Sequence, residues 1–380
     1  MNLDEMRLEM DTINQQMNDL FIKRMKLSAN IADYKKENGL AVLNRARERE
    51  TLARISEQAG PEYAAFARIL FSNLFDLSRS YQSQRIDHTS QLSERISAAL
   101  ASTPPVFPKE AIVACQGVEG ANSQIACDRI FQFANIMYVR TFEAVFNAVE
   151  KGLCRYGVLP IENSSHGSVN SVYDLIMGSH KFSIVRGIKI HINHCLLAKP
   201  GAKMENIKEI CSHEQALGQC SRFLSANPGI KVTVVENTAA AAKMVSDSGR
   251  TDLAAIASDE CAQLYGLTVL SNEIQNTANN YTRFIVISKD MEIYPGSDKI
   301  SIMFSVNNTP GALQRLIARF SSLSLNMTKL ESRPIPGTDF QYRFYVDVDA
   351  SVADPDVISL MSDLENTIDG FAFLGAYKEI

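Results

Sequence analysis

Arg24 and Lys35 stand eleven residues apart in a stretch whose apolar residues recur at alternating steps of three and four. The series runs Leu3, Met6, Met10, Ile13, Met17, Leu20, then Leu27, Ile31, Tyr34, and Arg24 occupies the step between Leu20 and Leu27. Such spacing predicts one long helix packed on others. A guanidinium on that seam is costly unless an anion meets it. Eleven residues make about three turns, so Lys35 leaves the same face. Two permanent cations there predict a pocket for a small polyanion. The same stretch supplies Arg7, Asn44, Arg47 and Glu48, and it places Ser78 and Gln82 at i, i+4 on one helix face. Arg7 lies seventeen residues before Arg24, off its face, and would reach the pocket only from the partner in an intertwined dimer. No Cys–His pair, Ser–His pair or metal-ligand cluster accompanies these groups. The chemistry expected is therefore charge positioned around a dianion, with no nucleophile, no metal and no cofactor.

Three kinds of segment must position these residues. Residues 1–100 contain two glycines and one proline and read as helix nearly throughout. A first helix is expected over about Leu3–Glu37, ended by Asn38-Gly39. A second starts after Asn44 as N-cap and stops at Gly60-Pro61, and a third runs from about Glu62 to Leu100. A proline-stiffened linker covers 101–109. Residues 110–291 alternate short apolar strands with helices, which predicts an α/β domain on a mainly parallel sheet. Glu162-Asn163-Ser164 falls at a strand end, where such folds bind ligands. Residues 298–380 read strand, helix, strand, strand, helix, strand, the ferredoxin-like order. Its first helix opens at Pro310-Gly311-Ala312, whose free amides suit a carboxylate.

Composition narrows the class. The chain has 380 residues, 46% apolar and 21% charged, and its net charge is −5 without a lysine or arginine block. Nucleic acid is not an expected partner. No apolar run reaches membrane-spanning length, and the acidic start is unlike a secretory signal. The seven cysteines form no C-x-x-C pair, which suits reduced thiols in the cytoplasm. His191 and His194 sit in an apolar, strand-like run and read as structural.

The pattern Arg7, Arg24, Lys35, Arg47-Glu48 and Ser78-Arg79-Ser80-Tyr81-Gln82 resembles the all-helical chorismate mutases over residues 1–95. The resemblance implies that Arg7 of a second subunit, Arg24 and Arg47 bind the carboxylates of chorismate. Lys35 and Gln82 would bond its ether oxygen, Glu48 its ring hydroxyl, and Ser78 would assist at a carboxylate. Asn44 occupies a position where some members carry an acid. Pro160-Ile161-Glu162-Asn163-Ser164-Ser165-His166-Gly167-Ser168-Val169 and Tyr281-Thr282-Arg283-Phe284 resemble signatures of prephenate dehydratases. Ser212-His213-Glu214-Gln215-Ala216 and Asn237-Thr238-Ala239-Ala240-Ala241 match two further stretches of that family. By resemblance Thr282 donates to the leaving hydroxyl of prephenate. Asn163, Ser164, Gln215 and Arg283 are the carboxylate candidates, and Glu162 positions or supplies a proton. The first loop departs from the family, with Asn122 where a tyrosine is usual. Gly311-Ala312-Leu313 and Leu330-Glu331-Ser332-Arg333-Pro334 resemble the phenylalanine-binding motifs of the regulatory ACT domain.

Together these resemblances imply a multidomain chain. A helical mutase bundle spans 1–100, and a two-lobed α/β dehydratase domain similar to type II periplasmic binding proteins spans 110–291. An α+β ferredoxin-like ACT domain spans 298–380. They imply a cytoplasmic bifunctional enzyme of phenylalanine biosynthesis that takes chorismate and prephenate and has L-phenylalanine as effector. A homodimer or higher homo-oligomer is expected. A solute-binding protein and a regulatory pseudoenzyme with a helical dimerisation segment are the competing readings.

Overall fold

The computed structural model describes residues 2–40, 42–86, 90–178, 181–306, 311–335, 337–338 and 341–380. In chain order the elements are α1 (Leu3–Glu37), α2 (Arg45–Ile86), α3 (Gln91–Ser102), β1 (Glu110–Gln116), α4 (Asn122–Ile130), β2 (Phe133–Val139), α5 (Phe142–Glu150), β3 (Tyr156–Asn163) and β4 (Gly167–Ser168). There follow α6 (Asn170–Ile176), β5 (Ser183–His191), β6 (Cys195–Ala198), β7 (Glu209–Ser212), α7 (Glu214–Gln219), α8 (Ser221–Ser225), β8 (Lys231–Val234), α9 (Thr238–Asp247), β9 (Leu253–Ala257), α10 (Asp259–Tyr265), β10 (Thr268–Ser271) and β11 (Tyr281–Ser288). The C-terminal part holds β12 (Lys299–Val306), α11 (Ala312–Ser322), β13 (Asn326–Pro334), β14 (Tyr342–Asp349), α12 (Pro355–Thr367) and β15 (Ala372–Glu379). This is the strand-helix-strand-strand-helix-strand order expected for 298–380. Pro310 lies outside the described residues. The chain divides into two compact units, one of residues 1–94, 306–325 and 353–371, the other of 95–305, 326–352 and 372–380.

In the first unit α1 has the bounds its periodicity predicts, and at 35 residues it is about 50 Å long. Asn2 caps it with Glu5 in a reciprocal capping box, and Gly39 ends it with φ 62°. Asn44 accepts the Arg47 N–H at 3.0 Å and so starts α2 as expected. α2 kinks at Gly60, whose φ 71°, ψ 168° only glycine adopts readily. The helix expected to run to Leu100 instead stops at Ile86, and α3 begins at Gln91. Ser90 accepts the Ser93 N–H at 3.1 Å, a cap that periodicity does not reveal. The expected seam also needs correction. Its apolar members are exposed, from Ile31 at 39% to Leu20 at 64%, while Ser28 and Ala32 are buried. Small residues on that neighbouring stripe let α1 approach α2 closely, which leaves the bulky seam uncovered.

In the second unit two sheets carry two lobes. The larger follows the order β13-β14-β12-β15-β5-β11-β3-β1-β2, the smaller β10-β6-β9-β7-β8. Both are mixed rather than mainly parallel. β1 runs parallel to β2 and β3, and β7 to β8 and β9, but β11 is antiparallel to β3 and β5, and β6 to β9 and β10. β11, on which the chain returns from the second lobe, runs against both β3 and β5, and β12–β15 and β13–β14 are antiparallel pairs as well. Alternate residues of β11 enter different cores. Phe284 and Val286 join Val113, Tyr156 and Val158, whereas Ile285 and Ile287 join Val145, Tyr173 and Tyr377. Burial on both faces explains why β11 reads as a continuous apolar run.

Candidate active sites

The first site forms where α1 faces the second half of α2. The Arg24 guanidinium donates to Leu74 O at 2.8 Å and to Ser78 Oγ, and it stacks over the Phe75 ring at 5.6 Å. One site-length further along, Lys35 Nζ donates to Gln82 Oε1 at 3.0 Å and to Val42 O at 2.6 Å. The i, i+4 pair Ser78 and Gln82 is buried, at 5% and 7% exposure. Burial lowers the pKa of both cations, and the nearby Glu48 carboxylate partly opposes that. Glu48 is held by Arg79, which also binds Asp76. The structure thus brings Arg24, Lys35, Glu48, Ser78 and Gln82 together. Arg7 and Arg47 are exposed, their guanidinium groups paired with Asp4 at 3.3 Å and Glu50 at 3.8 Å, and Asn44 is spent on its cap.

The second site lies where β3 ends beside the start of β11, next to the two segments that cross between lobes. Thr282 and Asn163 are register partners across the β3–β11 pair, and Asn163 Nδ2 donates to Thr282 Oγ1 at 2.9 Å. Asn163 Oδ1 accepts the backbone N–H groups of Ser165 and His166 at 2.9 and 3.1 Å. Ser164 closes the turn, donating to Asn279 O and accepting from Tyr281 N, each at 2.9 Å. The period of the strand sends Arg283 and Glu162 to the opposite face. There Arg283 is 8% exposed and bound by Asp347, Glu379 and the Tyr377 hydroxyl. Burial alone would lower its pKa, but these neighbours raise it well above the ordinary arginine value. Glu162 accepts from Lys329 at 2.7 Å. Phe284 lies in the apolar core, and Gln215 is exposed on the first turn of α7.

A prephenate dehydratase family model matches residues 113–292, and a chorismate mutase type II model matches 6–83. The bifunctional chorismate mutase/prephenate dehydratase of Aquifex aeolicus is 32% identical over 379 residues, covering 99% of this chain and 98% of its own. The chain belongs to the bifunctional chorismate mutase/prephenate dehydratase family. An arogenate dehydratase/prephenate dehydratase of Arabidopsis thaliana is 39% identical over 282 residues, 70% of this chain and 71% of the relative. A prephenate dehydratase of Arthrobacter aurescens, solved in complex with L-Phe, superposes with a TM-score of 0.65 at 27% identity, covering 70% of this chain and 89% of its own. The protein carries both activities and serves phenylalanine biosynthesis, and the solute-binding and pseudoenzyme readings are not favoured.

Sequence reasoning missed part of the candidate dehydratase site. Gln219 Nε2 lies 3.3 Å from Asn163 Oδ1 and 3.1 Å from His166 Nδ1, and Gln219 Oε1 accepts from Asn280 Nδ2 at 3.0 Å. Asn280 Oδ1 in turn accepts from Asn163 Nδ2 and Ser165 Oγ, at 3.0 and 2.9 Å. Gln219 was within reach, four residues after Gln215 on α7, and Asn280 immediately precedes Tyr281-Thr282. Of the effector candidates, Gly311 caps α11 at φ 76° and leads into Ala312 and Leu313. Glu331, Ser332 and Arg333 lie on β13, where Glu331 accepts from Ser168 and Arg333 pairs with Asp174 at 2.6 and 2.9 Å. Among the described residues no group of three acidic, histidine or cysteine side chains is placed to hold a metal, and no helix is long and apolar enough to cross a membrane.

Proposed function

We propose that chorismate is rearranged against the α1–α2 site and that prephenate is aromatised at Thr282. One observation carries the first half: two cations on one helix clasp an i, i+4 polar pair on the next. Arg24, with Ser78, would bind a carboxylate of chorismate, and Arg47 and a partner's Arg7 the remaining negative charge. Lys35 would meet the ether oxygen as it gains charge. Because Gln82 accepts from Lys35 through its oxygen, its amide nitrogen is left to donate to the same atom. Glu48 would take the ring hydroxyl. Each well-aimed donor contributes about 3–4 kcal/mol to such a site.

In the dehydratase, Asn163 donates to Thr282, so the threonine proton is free to go to the departing hydroxyl. Glu162 and Arg283 support this reading as positioning groups on the back of the strand pair, while Ser164, Gln219 and Asn280 lie on its front and Gln215 is exposed at the start of α7. Steady-state assays of chorismate consumption and phenylpyruvate formation on one preparation test both halves. Lys35→Ala removes the mutase rate by at least about a hundredfold and spares the dehydratase, and Thr282→Ala does the reverse. Joint loss in a folded variant would argue for one shared site.

Residues 1–100, 110–291 and 298–380 would act as mutase, dehydratase and ACT segments. By the family resemblance, Gly311-Ala312-Leu313 and Glu331-Ser332-Arg333 would serve L-phenylalanine, the amides after Gly311 taking its carboxylate. Feedback then requires that the effector prefer a less active state, and linkage requires substrate to weaken its binding equally. Supporting this, β14 and β15 of the effector segment contribute Asp347 and Glu379 to the residue adjoining Thr282. Calorimetry should show phenylalanine binding to the full chain, weakened by Gly311→Val. An isotherm with no heat would remove the effector role. The seven buried free cysteines suit a reducing, cytoplasmic setting, and the uncovered α1 seam suits a homodimer.

A further inference from the structure

His194 belongs to no motif, and it is 3% exposed. It lies just after β5, on the segment leaving for the second lobe, held against the returning segment. Ile274 N donates to its carbonyl at 2.9 Å, and its own N–H donates to Gln275 Oε1 at 3.0 Å. The hydrogen-bond directions around its ring follow from groups that cannot reverse. The backbone donors of Ser165 and His166 require Asn163 Oδ1 as acceptor, which puts Asn163 Nδ2 at Thr282 and at Asn280 Oδ1. Asn280 therefore presents Nδ2 to Gln219 Oε1. That oxygen lies 2.6 Å from His194 Nε2, so this nitrogen carries the proton.

We propose that His194 is a positioning residue of the dehydratase. Its Nε2–H fixes the Gln219 amide, Gln219 fixes Asn280 and Asn163, and the set leaves Thr282 receiving one hydrogen bond with its own proton directed at the substrate. The inference rests on the assignment of Thr282 above. In the step served, the ring carboxylate leaves as carbon dioxide and its C–C electron pair enters the ring. The ring C–O bond breaks, the threonine proton passes to the departing oxygen, and water leaves. Solvent then returns a proton to Thr282. His194 supplies no proton, since the amides between it and Thr282 donate without relaying. Burial lowers its pKa, which keeps the ring neutral and consistent with that role.

The test measures kcat and KM for prephenate in the full chain with His194→Leu, His194→Gln and His194→Asn. The glutamine nitrogen sits as many bonds from Cα as Nε2, whereas the asparagine nitrogen falls one bond short. The leucine and asparagine variants should lose about tenfold in kcat with KM within twofold, and the glutamine variant should recover most of the loss. In a Gln219→Met background His194→Leu should cost nothing more. Mutase rate reports folding, and if leucine impairs it, the comparison of glutamine with asparagine decides. Equal rates for glutamine and asparagine, additive losses with Gln219→Met, or a rise in KM alone would overturn the proposal. An active Thr282→Ala enzyme would instead overturn the Thr282 assignment, whatever His194 does.

Discussion

Lys35 and Thr282 show how far a single residue's chemistry depends on the partner it is given. An exposed lysine is a hydrated point charge, but Lys35 is partly buried between Val42 O and Gln82. Burial lowers its pKa from the ordinary 10.5, and Glu48 only partly restores it. An ammonium is charged below its pKa, so the mutase rate is expected to hold through neutrality and fall as pH rises through a value below the usual lysine range. A pH–kcat profile checks this. Lys35→Arg, whose cation does not titrate, should abolish that alkaline limb whatever its absolute rate. A limb unchanged by the substitution would assign the ionisation to another group. Thr282 gains its direction from Asn163 in the same way, because a hydroxyl that accepts one hydrogen bond still has its proton to give.

At the scale of elements, backbone geometry decides which side chains meet. The period of β11 puts Thr282 and Arg283, neighbours in sequence, on opposite faces. One is left for the chemistry proposed above, and the other is locked among buried acids. The kink in α2 does similar work, since Gly60 adopts φ 71°, ψ 168° before Pro61. A Cβ there meets nothing within 4 Å, so Gly60→Ala costs conformational strain rather than a clash, about 1–3 kcal/mol. Chemical denaturation of the variant should show that loss. An unchanged midpoint would mean that α2 straightens through Gly60 without penalty.

Across the whole molecule, the two family models fall on separate compact units, and we propose that a second copy completes the helical one. Leu3, Met6, Met10, Met17 and Leu20 are each half exposed or more along α1. A row of this length on one face suits an interaction surface, and the Arg7 guanidinium on the same helix pairs with Asp4. Met10→Lys with Met17→Lys should therefore turn a dimer into monomers by sedimentation. It should also cut the mutase rate by at least about tenfold, by removing a partner's Arg7, and leave the dehydratase rate within about twofold. A monomeric wild type, or a double variant that dimerises with full mutase activity, would refute the shared bundle.

The amino-acid order alone was enough for α1, whose bounds follow from a three-four repeat between an asparagine cap and Asn38-Gly39. It was enough for the C-terminal strand-helix order and for the family signatures of both activities. These are local properties: propensity, caps and spacing act within a few residues of one another. Tertiary structure alone decided which stripe of α1 packs, because close approach selected Ser28 and Ala32 over bulkier neighbours. It alone decided that Arg283 is neutralised by Asp347 and Glu379, more than sixty residues downstream. The hydrogen-bonded chain from His194 through Gln219, Asn280 and Asn163 to Thr282 likewise exists only once the chain has crossed to its second lobe and returned. Contacts across such separations leave no period in a sequence for a reader to find.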